Sequence, residues 1–206
     1  MKDFITIALP KGRMSEESLS HFYQCGITKI KEFNHDRKLI FDDIEKKIKF
    51  LLVRSKDVGT YIEQGAADIG VIGFDLLKEH EFNVYISTKL PFGKCRLSVA
   101  WPQNHDEPNK RHIKVATKYP RITSKYFYEQ GINIELINLY GSIEIAPLTG
   151  ISHAIVDLVS TGETLKANNL IEKNRILNSE ARLIFNHAAY VFKRKQITDI
   201  LNCLRN

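Results

Sequence analysis

Small hydroxyl residues surround a glycine directly after a short apolar segment, at residues 155–165. The run reads Ile-Val-Asp-Leu-Val-Ser-Thr-Gly-Glu-Thr-Leu. The glycine allows a tight turn, and the hydroxyls of Ser160, Thr161 and Thr164 can donate to one phosphate together with the free N–H groups of a following helix start. Asp157 ends the apolar segment, where its carboxylate can accept hydrogen bonds from ribose hydroxyls. The run therefore predicts a site for a phosphorylated ribose.

The same run also has an interpretation that needs no ligand. Ser160 or Thr161 could simply cap the next helix, with Gly162 serving its turn. The order Gly-x-x-x-x-Gly-Lys-Ser/Thr of a P-loop is absent from the sequence, which argues against a nucleoside triphosphatase. From these residues alone, a phosphate site and a plain helix cap both stay open.

The charge of the chain favours an anionic partner. Its formal net charge is +6 over 206 residues. Apart from Lys193-Arg194-Lys195, the basic residues are scattered singly or in pairs among acids rather than gathered into a long run. The net charge does not distinguish a nucleic acid, a membrane surface and a small polyphosphate, but its scattered arrangement argues against nucleic acid, so we expect no nucleic-acid partner.

Cysteine and histidine spacing indicates neither a disulfide framework nor a metal site. The three cysteines are far apart, and the seven histidines show no paired helical spacing. No apolar run reaches the roughly 18 to 20 residues that a membrane helix needs, and the N-terminus does not resemble a leader. The expectation is a soluble, cytoplasmic protein with no membrane association.

Strand and helix patterns alternate along the chain. Strands are predicted at 4–9, 38–41, 48–53, 69–72, 84–90, 95–101, 113–117, 134–139, 154–157 and 183–185, and helices at 15–26, 57–65, 122–130 and 188–204. The polar segment 102–112 is predicted to be a surface loop. Two such series, joined near residues 90–95, indicate an α/β protein of two lobes around a central cleft, each lobe with a partly parallel sheet.

Basic side chains stand where such sheets place their ligands, outside the carboxyl ends of the strands. Lys11, Gly12 and Arg13 follow the first predicted strand, and Arg54 directly follows the strand at 48–53. Arg37 stands at the start of the strand before it. The forked guanidinium suits phosphate oxygens, although an exposed surface arginine is the commonest fate of this residue type.

The segment 141–170 strongly resembles the signature of the ATP phosphoribosyltransferases. Its first part reads Gly141-Ser-Ile-Glu-Ile-Ala-Pro-Leu-Thr-Gly150, and the run that opened this section follows, then Asn169-Leu170. Further segments look like their family counterparts in the family's order, so that nearly the whole chain is covered: Leu9-Pro-Lys-Gly-Arg13, Arg37-Lys-Leu39, Arg54 with Asp57-Val58, and Ala67-Asp-Ile-Gly-Val-Ile-Gly73. The length resembles that of the short form of the family, which lacks a C-terminal histidine-binding domain.

The resemblance implies a fold, a reaction and a set of site residues. The fold would be of the type II periplasmic-binding-protein kind, with mixed sheets, residues 1–91 and 176–206 in lobe I and residues 92–175 in lobe II. The reaction would be transfer of phosphoribosyl from phosphoribosyl pyrophosphate to N1 of the adenine of ATP, the first step of histidine biosynthesis, giving phosphoribosyl-ATP and pyrophosphate. By resemblance, Arg54 and Arg37 are catalytic, Lys11, Gly12 and Arg13 bind the nucleotide, and phosphoribosyl pyrophosphate is bound by Glu144, Asp157, Ser160, Thr161, Gly162, Glu163 and Thr164.

The resemblance also implies partners. Magnesium would arrive with the substrates and need few or no protein ligands. A regulatory subunit similar to histidyl-tRNA synthetase would join the chain in a hetero-oligomer built from homodimers of this chain. One departure from the family pattern is Ser152-His153, and His153 is expected to be a surface or supporting residue rather than a base. A small-molecule binding module with the same two-lobed fold is the rival interpretation.

Overall fold

A computed structural model describes residues 4–33, 37–103 and 112–205. The chain divides into two compact units. Unit 1 comprises Met1–Gly93 and Glu180–Asn206, and unit 2 comprises Lys94–Ser179. The predicted surface loop at 102–112 falls largely outside the described residues.

Strands and helices alternate through most of the chain. The strands are β1 (Ile5–Pro10), β2 (Ile40–Asp43), β3 (Ile48–Val53), β4 (Ile69–Gly73), β5 (Tyr85–Lys89), β6 (Cys95–Pro102), β7 (Ile113–Thr117), β8 (Ile134–Asn138), β9 (Ala154–Val159), β10 (Leu170–Ser179) and β11 (Ala181–Phe185). The helices are α1 (Arg13–Gln24), α2 (Val58–Glu63), α3 (Phe74–His80), α4 (Pro120–Glu129), α5 (Glu163–Ala167), α6 (His187–Phe192) and α7 (Arg194–Arg205).

The sheet of unit 1 has the strand order β2-β3-β1-β4-β11-β5 among the described residues. Its central strands β3, β1 and β4 run parallel, while β2, β11 and β5 pair antiparallel. Every residue of β4 is buried, as expected of a strand covered on both faces. The core beside it includes Phe22 of α1, whose ring lies 6.5 Å from that of Phe50.

The sheet of unit 2 has the order β10-β6-β9-β7-β8 within the described ranges. Strands β9, β7 and β8 run parallel, and β6 and β10 are antiparallel to their neighbours. Apolar side chains such as Ile155 and Leu165 pack with Ile143 into the core of this unit. The two mixed sheets are the α/β architecture that the strand and helix patterns predicted.

Two helix predictions are corrected by the structure. Ser15 does not begin α1: the helix starts at Arg13 with Gly12 at its N-cap, and the Ser15 hydroxyl instead donates to the Gly12 carbonyl at 2.6 Å. The helix predicted at 188–204 is two helices, which meet at Lys193. The Lys193 ammonium donates to Asp68 Oδ2 at 2.7 Å, which ties the C-terminal helices to the start of β4 within unit 1.

A buried carboxylate fixes the turn after α1 to the β2–β3 hairpin. Asp43 is 5% exposed and accepts hydrogen bonds from the Thr28 hydroxyl at 2.7 Å, from Lys29 N at 2.6 Å and from Lys46 N at 3.1 Å. Burial raises the pKa of Asp43, but the hydrogen bonds from Thr28 and the two backbone N–H groups outweigh it, so the pKa lies below its ordinary value. The ionised carboxylate therefore stabilises the fold.

Replacing Asp43 with asparagine is expected to lower the free energy of unfolding by about 2 kcal/mol at neutral pH, because an amide NH2 group takes the place of one of the two oxygens that accept hydrogen bonds. The wild-type contribution is present above the unfolded-state pKa of about 3.9 and is lost as pH falls through the lower folded-state pKa. Urea unfolding between pH 3 and 7 measures both effects. Asp42→Asn is the control, since Asp42 is exposed and its carboxylate lies 3.7 Å from Lys49 Nζ. Equal stability of the two variants would contradict the prediction.

Candidate functional site

A pocket of about 160 Å³ lies at the C-terminal end of β9 in unit 2. We call it the β9 pocket. It brings together six of the seven residues predicted to bind phosphoribosyl pyrophosphate, with three apolar neighbours: Glu144, Asp157, Ser160, Thr161, Gly162 and Thr164, beside Leu158, Val159 and Leu165. The seventh, Glu163, follows Gly162 in the same turn and is exposed, but it does not line the pocket. The hydroxyl and glycine run thus forms one concave, polar surface.

The turn from β9 into α5 depends on Gly162. This residue has φ 86° in the left-handed region, where a side chain is disfavoured, and it is the N-cap of α5. No side chain caps the helix, and the Thr161 hydroxyl accepts only a long hydrogen bond of 3.4 Å from Glu163 N. The helix-cap interpretation of Ser160 and Thr161 therefore explains little of this turn.

Asp157 carries the carboxylate of the β9 pocket. Its Oδ1 accepts a hydrogen bond from Leu158 N at 2.8 Å, and its Oδ2 lies 3.7 Å from Lys118 Nζ. Burial raises the pKa of Asp157 most strongly and the charge of Glu144 raises it further, while Lys118 and the Leu158 N–H lower it; the net direction is upward. A carboxylate with few local donors is available to accept hydrogen bonds from a ligand.

Lys118 is a candidate residue that the sequence reasoning missed. It follows β7, the parallel neighbour of β9, so both strands deliver a charged side chain to the same edge of the sheet. The turn is fixed by Thr117, which is fully buried: its hydroxyl donates to Val156 O and accepts from Tyr119 N, both at 2.9 Å. The rule that ligands bind beyond the carboxyl ends of strands was the signal that could have found it.

Unit 1 carries the predicted cations at the C-terminal edge of its own parallel strands. Lys11, Gly12 and Arg13 connect β1 to α1, and Gly12 has φ 93°, which suits glycine. Lys11 N donates to Val53 O at 2.8 Å, so this loop lies directly beside the end of β3, where Arg54 follows. All of these basic side chains are exposed.

Arg37 belongs to the same edge of unit 1. It precedes β2, which runs antiparallel to β3, and the pairing continues beyond β2 because Leu52 N donates to Leu39 O at 2.8 Å. The register therefore carries Arg37 towards the end of β3 that leads into Arg54. Arg37 is exposed and has a left-handed φ of 53°. The predicted site residues thus form two sets, one in each unit.

His153 lies away from the β9 pocket. It precedes β9, at the end of the strand opposite the 160–164 turn. Its Nδ1 accepts a hydrogen bond from Lys114 N at 2.9 Å, and its own N donates to Lys114 O at 2.9 Å. The ring therefore serves the pairing of β9 with β7 rather than chemistry in the pocket.

The described part of the chain has neither a cluster of metal-binding side chains nor a helix that could span a membrane. No group of three or more His, Cys, Asp or Glu side chains there is arranged to hold a metal ion. Among those same residues, no helix combines the length and apolar character that crossing a membrane requires.

An α/β protein with a carboxylate and hydroxyl pocket in one unit and a cationic sheet edge in the other is of the class that binds phosphorylated sugars and nucleotides.

Comparison with known proteins identifies the family. The HisG family model, described as ATP phosphoribosyltransferase, matches residues 54–206. The ATP phosphoribosyltransferase of Geobacter metallireducens is 47% identical over 208 residues, which cover 99% of this chain and 98% of that protein. The one from Leptospira biflexa is 44% identical over 203 residues, covering 98% of this chain and 100% of that protein. The chain belongs to the ATP phosphoribosyltransferase family, as its sequence resemblance predicted, and is a pentosyltransferase.

Solved structures support the same conclusion. The ATP phosphoribosyl transferase (HisG:HisZ) complex from Thermotoga maritima contains a chain that matches with a TM-score of 0.84 at 32% identity, covering 98% of this chain and 97% of that one. The alkanesulfonate-binding protein SsuA from Xanthomonas axonopodis matches with a TM-score of 0.61 at 11% identity, covering 97% of this chain and 71% of that one. The second match shows the fold alone, and it confirms the prediction that the fold resembles that of the binding proteins.

Proposed function

We propose that this chain carries out its family's reaction with the phosphoribosyl group held in the β9 pocket. The reaction is transfer of phosphoribosyl from phosphoribosyl pyrophosphate to N1 of the adenine of ATP, which opens histidine biosynthesis. A bond forms between N1 and the anomeric carbon while the bond from that carbon to pyrophosphate breaks with inversion. Pyrophosphate leaves with the electron pair. The observation that carries the proposal is the gathering of six predicted residues around one pocket.

In the pocket, each group suits one part of the substrate. The hydroxyls of Ser160, Thr161 and Thr164 and the backbone around Gly162 would bind the 5-phosphate. Asp157 would accept hydrogen bonds from the ribose hydroxyls. Glu144 and Asp157 would also stabilise positive charge that grows on the ribose ring. We include Lys118 in this set, because its ammonium lies beside Asp157 and can contact an anionic substrate.

The basic edge of unit 1 suits the polyphosphates. Both substrates are polyanions, and the departing pyrophosphate gains negative charge as its bond breaks, so fixed cations favour the transition state. Arg54 and Arg37 are proposed to stabilise pyrophosphate, and Lys11, Gly12 and Arg13 to contact ATP. Attack by a neutral ring nitrogen needs no enzyme nucleophile, so catalysis would rest on positioning and electrostatics.

Magnesium is proposed to arrive on the substrates. The chemistry of the β9 pocket fits it, since Glu144 and Asp157 offer the hard carboxylate oxygens that Mg²⁺ prefers, while retained waters and phosphate oxygens would complete its coordination. When bound, the ion would neutralise charge on the pyrophosphate.

A protein partner and a location complete the proposal. The matched Thermotoga maritima structure is a HisG:HisZ complex. We propose that this chain likewise joins a regulatory subunit similar to histidyl-tRNA synthetase, in a hetero-oligomer built from homodimers of this chain. We also propose that it works in the cytoplasm and that it binds no nucleic acid.

The experiment is to mix the chain and its regulatory partner with ATP, phosphoribosyl pyrophosphate and magnesium, and to follow pyrophosphate release. We expect release that requires ATP and is accompanied by phosphoribosyl-ATP. A reaction without ATP is the control for hydrolysis. Binding of ligands with no ATP-dependent pyrophosphate release from the complex would favour the rival interpretation, a small-molecule binding module.

A further inference from the structure

A fully engaged arginine lies behind the turn of the β9 pocket. Arg96 on β6 donates from Nη1 to the carbonyl oxygen of Ser160 at 2.9 Å. Its other two nitrogens are held by one carboxylate, with Nε 2.6 Å from Glu172 Oε1 and Nη2 2.5 Å from Glu172 Oε2. The forked pair fixes the plane of the guanidinium, so the third hydrogen bond has a fixed direction.

Glu172 is itself held in place by β6 and β10. The Ser98 hydroxyl donates to its Oε1 at 2.8 Å. The pairing of β10 with β6 shifts register between Glu172 and Asn174, and such bulges re-aim side chains. The hydrogen bond from Arg96 is the main reason that the pKa of Glu172 lies below its ordinary value. The carboxylate is therefore ionised whenever the protein is near neutral pH.

The hydrogen bond to Ser160 determines where the next N–H points. In a planar trans peptide the N–H lies opposite the C=O. Because the Ser160 carbonyl is directed at Arg96, the N–H of Thr161 is directed away from Arg96. Ser160 and Thr161 line the β9 pocket, whereas Arg96 is not among the described residues that line it. The guanidinium thus contacts the back of the turn rather than the pocket.

We propose that Arg96 is a positioning residue for phosphoribosyl pyrophosphate: held by Glu172, it orients the Ser160–Thr161 peptide so that the turn presents its donors to the 5-phosphate. This inference rests on the proposed function of the β9 pocket. Arg96 does not touch the phosphate. Glu172 neutralises its charge and keeps the guanidinium pointed at the Ser160 carbonyl.

The first test replaces Arg96 with glutamine and with lysine in the complex with the regulatory subunit. Calorimetry with phosphoribosyl pyrophosphate plus magnesium, and with ribose 5-phosphate, should show dissociation constants raised about tenfold in Arg96→Gln, the size expected for one lost charge-assisted contact. The dissociation constants of Arg96→Lys should lie between those of wild type and Arg96→Gln, because an ammonium can reach one acceptor but cannot form the two parallel hydrogen bonds of a guanidinium. The KM for ATP should stay unchanged. A general loss of folding would instead weaken the binding of both substrates.

The Glu172→Gln variant distinguishes a positioning role of Arg96 from direct phosphate binding, because the two roles predict opposite changes in the affinity for the sugar phosphate. If Arg96 acts through Ser160, losing the carboxylate frees the guanidinium and weakens sugar-phosphate binding about threefold to tenfold. If Arg96 binds phosphate directly, removing its counter-charge strengthens binding, and that result would overturn the proposal.

The control is Arg182→Gln, which breaks a similar pair in unit 1, where Arg182 Nη2 lies 2.6 Å from Glu180 Oε1. It should leave sugar-phosphate binding unchanged. Unaltered binding in both Arg96 variants would also overturn the positioning role. Wild-type complex that binds no phosphoribosyl pyrophosphate would contradict the proposed function itself.

Discussion

Replacing Arg54 with alanine is expected to lower kcat by about 10²- to 10³-fold, the loss typical of removing one preorganised group that stabilises developing negative charge. Arg54 is exposed and follows β3, so its side chain contributes little to packing. The melting temperature should therefore stay within about a degree or two of wild type. Steady-state kinetics on the complex and a thermal unfolding curve measure the two quantities.

Two further variants make this result specific to Arg54. Arg54→Lys keeps the charge and loses the fork, so it should recover only part of the turnover. Arg194→Ala removes another surface arginine, one whose guanidinium carbon lies 5.9 Å from the Tyr190 ring centroid, and should leave kcat unchanged. Normal turnover in Arg54→Ala with normal stability would exclude a catalytic role.

The second large effect is expected for Asp157→Asn, with kcat/KM for phosphoribosyl pyrophosphate reduced about a hundredfold. The loss follows because an amide accepts hydrogen bonds from ribose hydroxyls more weakly than a carboxylate and cannot stabilise positive charge on the sugar. Initial rates with phosphoribosyl pyrophosphate varied at saturating ATP measure it. Asp42→Asn, a change of the same kind on unit 1, is the control and should have no effect.

Because the pKa of Asp157 is raised, Asp157→Asn is expected to be at least as stable as wild type at neutral pH. A carboxyl whose folded-state pKa is raised contributes stability fully below its unfolded-state pKa of about 3.9, and this contribution is lost as pH rises through the folded-state value. At neutral pH the ionised group therefore costs stability, and Asp157→Asn should melt no lower than wild type. A clear drop in melting temperature would show that the side chain serves the fold instead.

Substrate binding should follow the same ionisation. The wild-type affinity for phosphoribosyl pyrophosphate should fall as pH drops through the pKa of Asp157, which burial raises from its ordinary value. Asp157→Asn should lack this part of the pH dependence, because its side chain does not titrate.

The turn of the β9 pocket was visible in the sequence because all of its parts are local. An apolar strand, an acid, two hydroxyl residues and a glycine with a left-handed φ lie within eight residues of one another. Local chemistry of this kind needs no knowledge of strand pairing. The parallel strands β7 and β9 were equally readable, since both are short apolar runs that are largely buried.

Residues whose roles depend on pairing were not visible. Lys118 reaches Asp157 only because β7 and β9 are neighbours, although 39 positions separate the two residues. Strand β10 escaped prediction because its residues alternate poorly: it is an edge strand with two register shifts, and much of it is exposed. Because β10 was not predicted, the hydrogen bonds between Arg96 and Glu172 could not be inferred from the sequence. Irregular edge strands hide the period of two on which strand prediction depends.

The position of β11 has a consequence for synthesis on the ribosome. This strand lies between β4 and β5 in the sheet, yet it is translated more than ninety residues after both of them. Unit 2 is continuous in sequence, so the ribosome completes it before β11 is synthesised. Until then, the edges of β4 and β5 that pair with β11 have no partner strand. Nascent chains halted before residue 181 would therefore expose an open sheet edge, the kind of surface that chaperones shield and that aggregates form on.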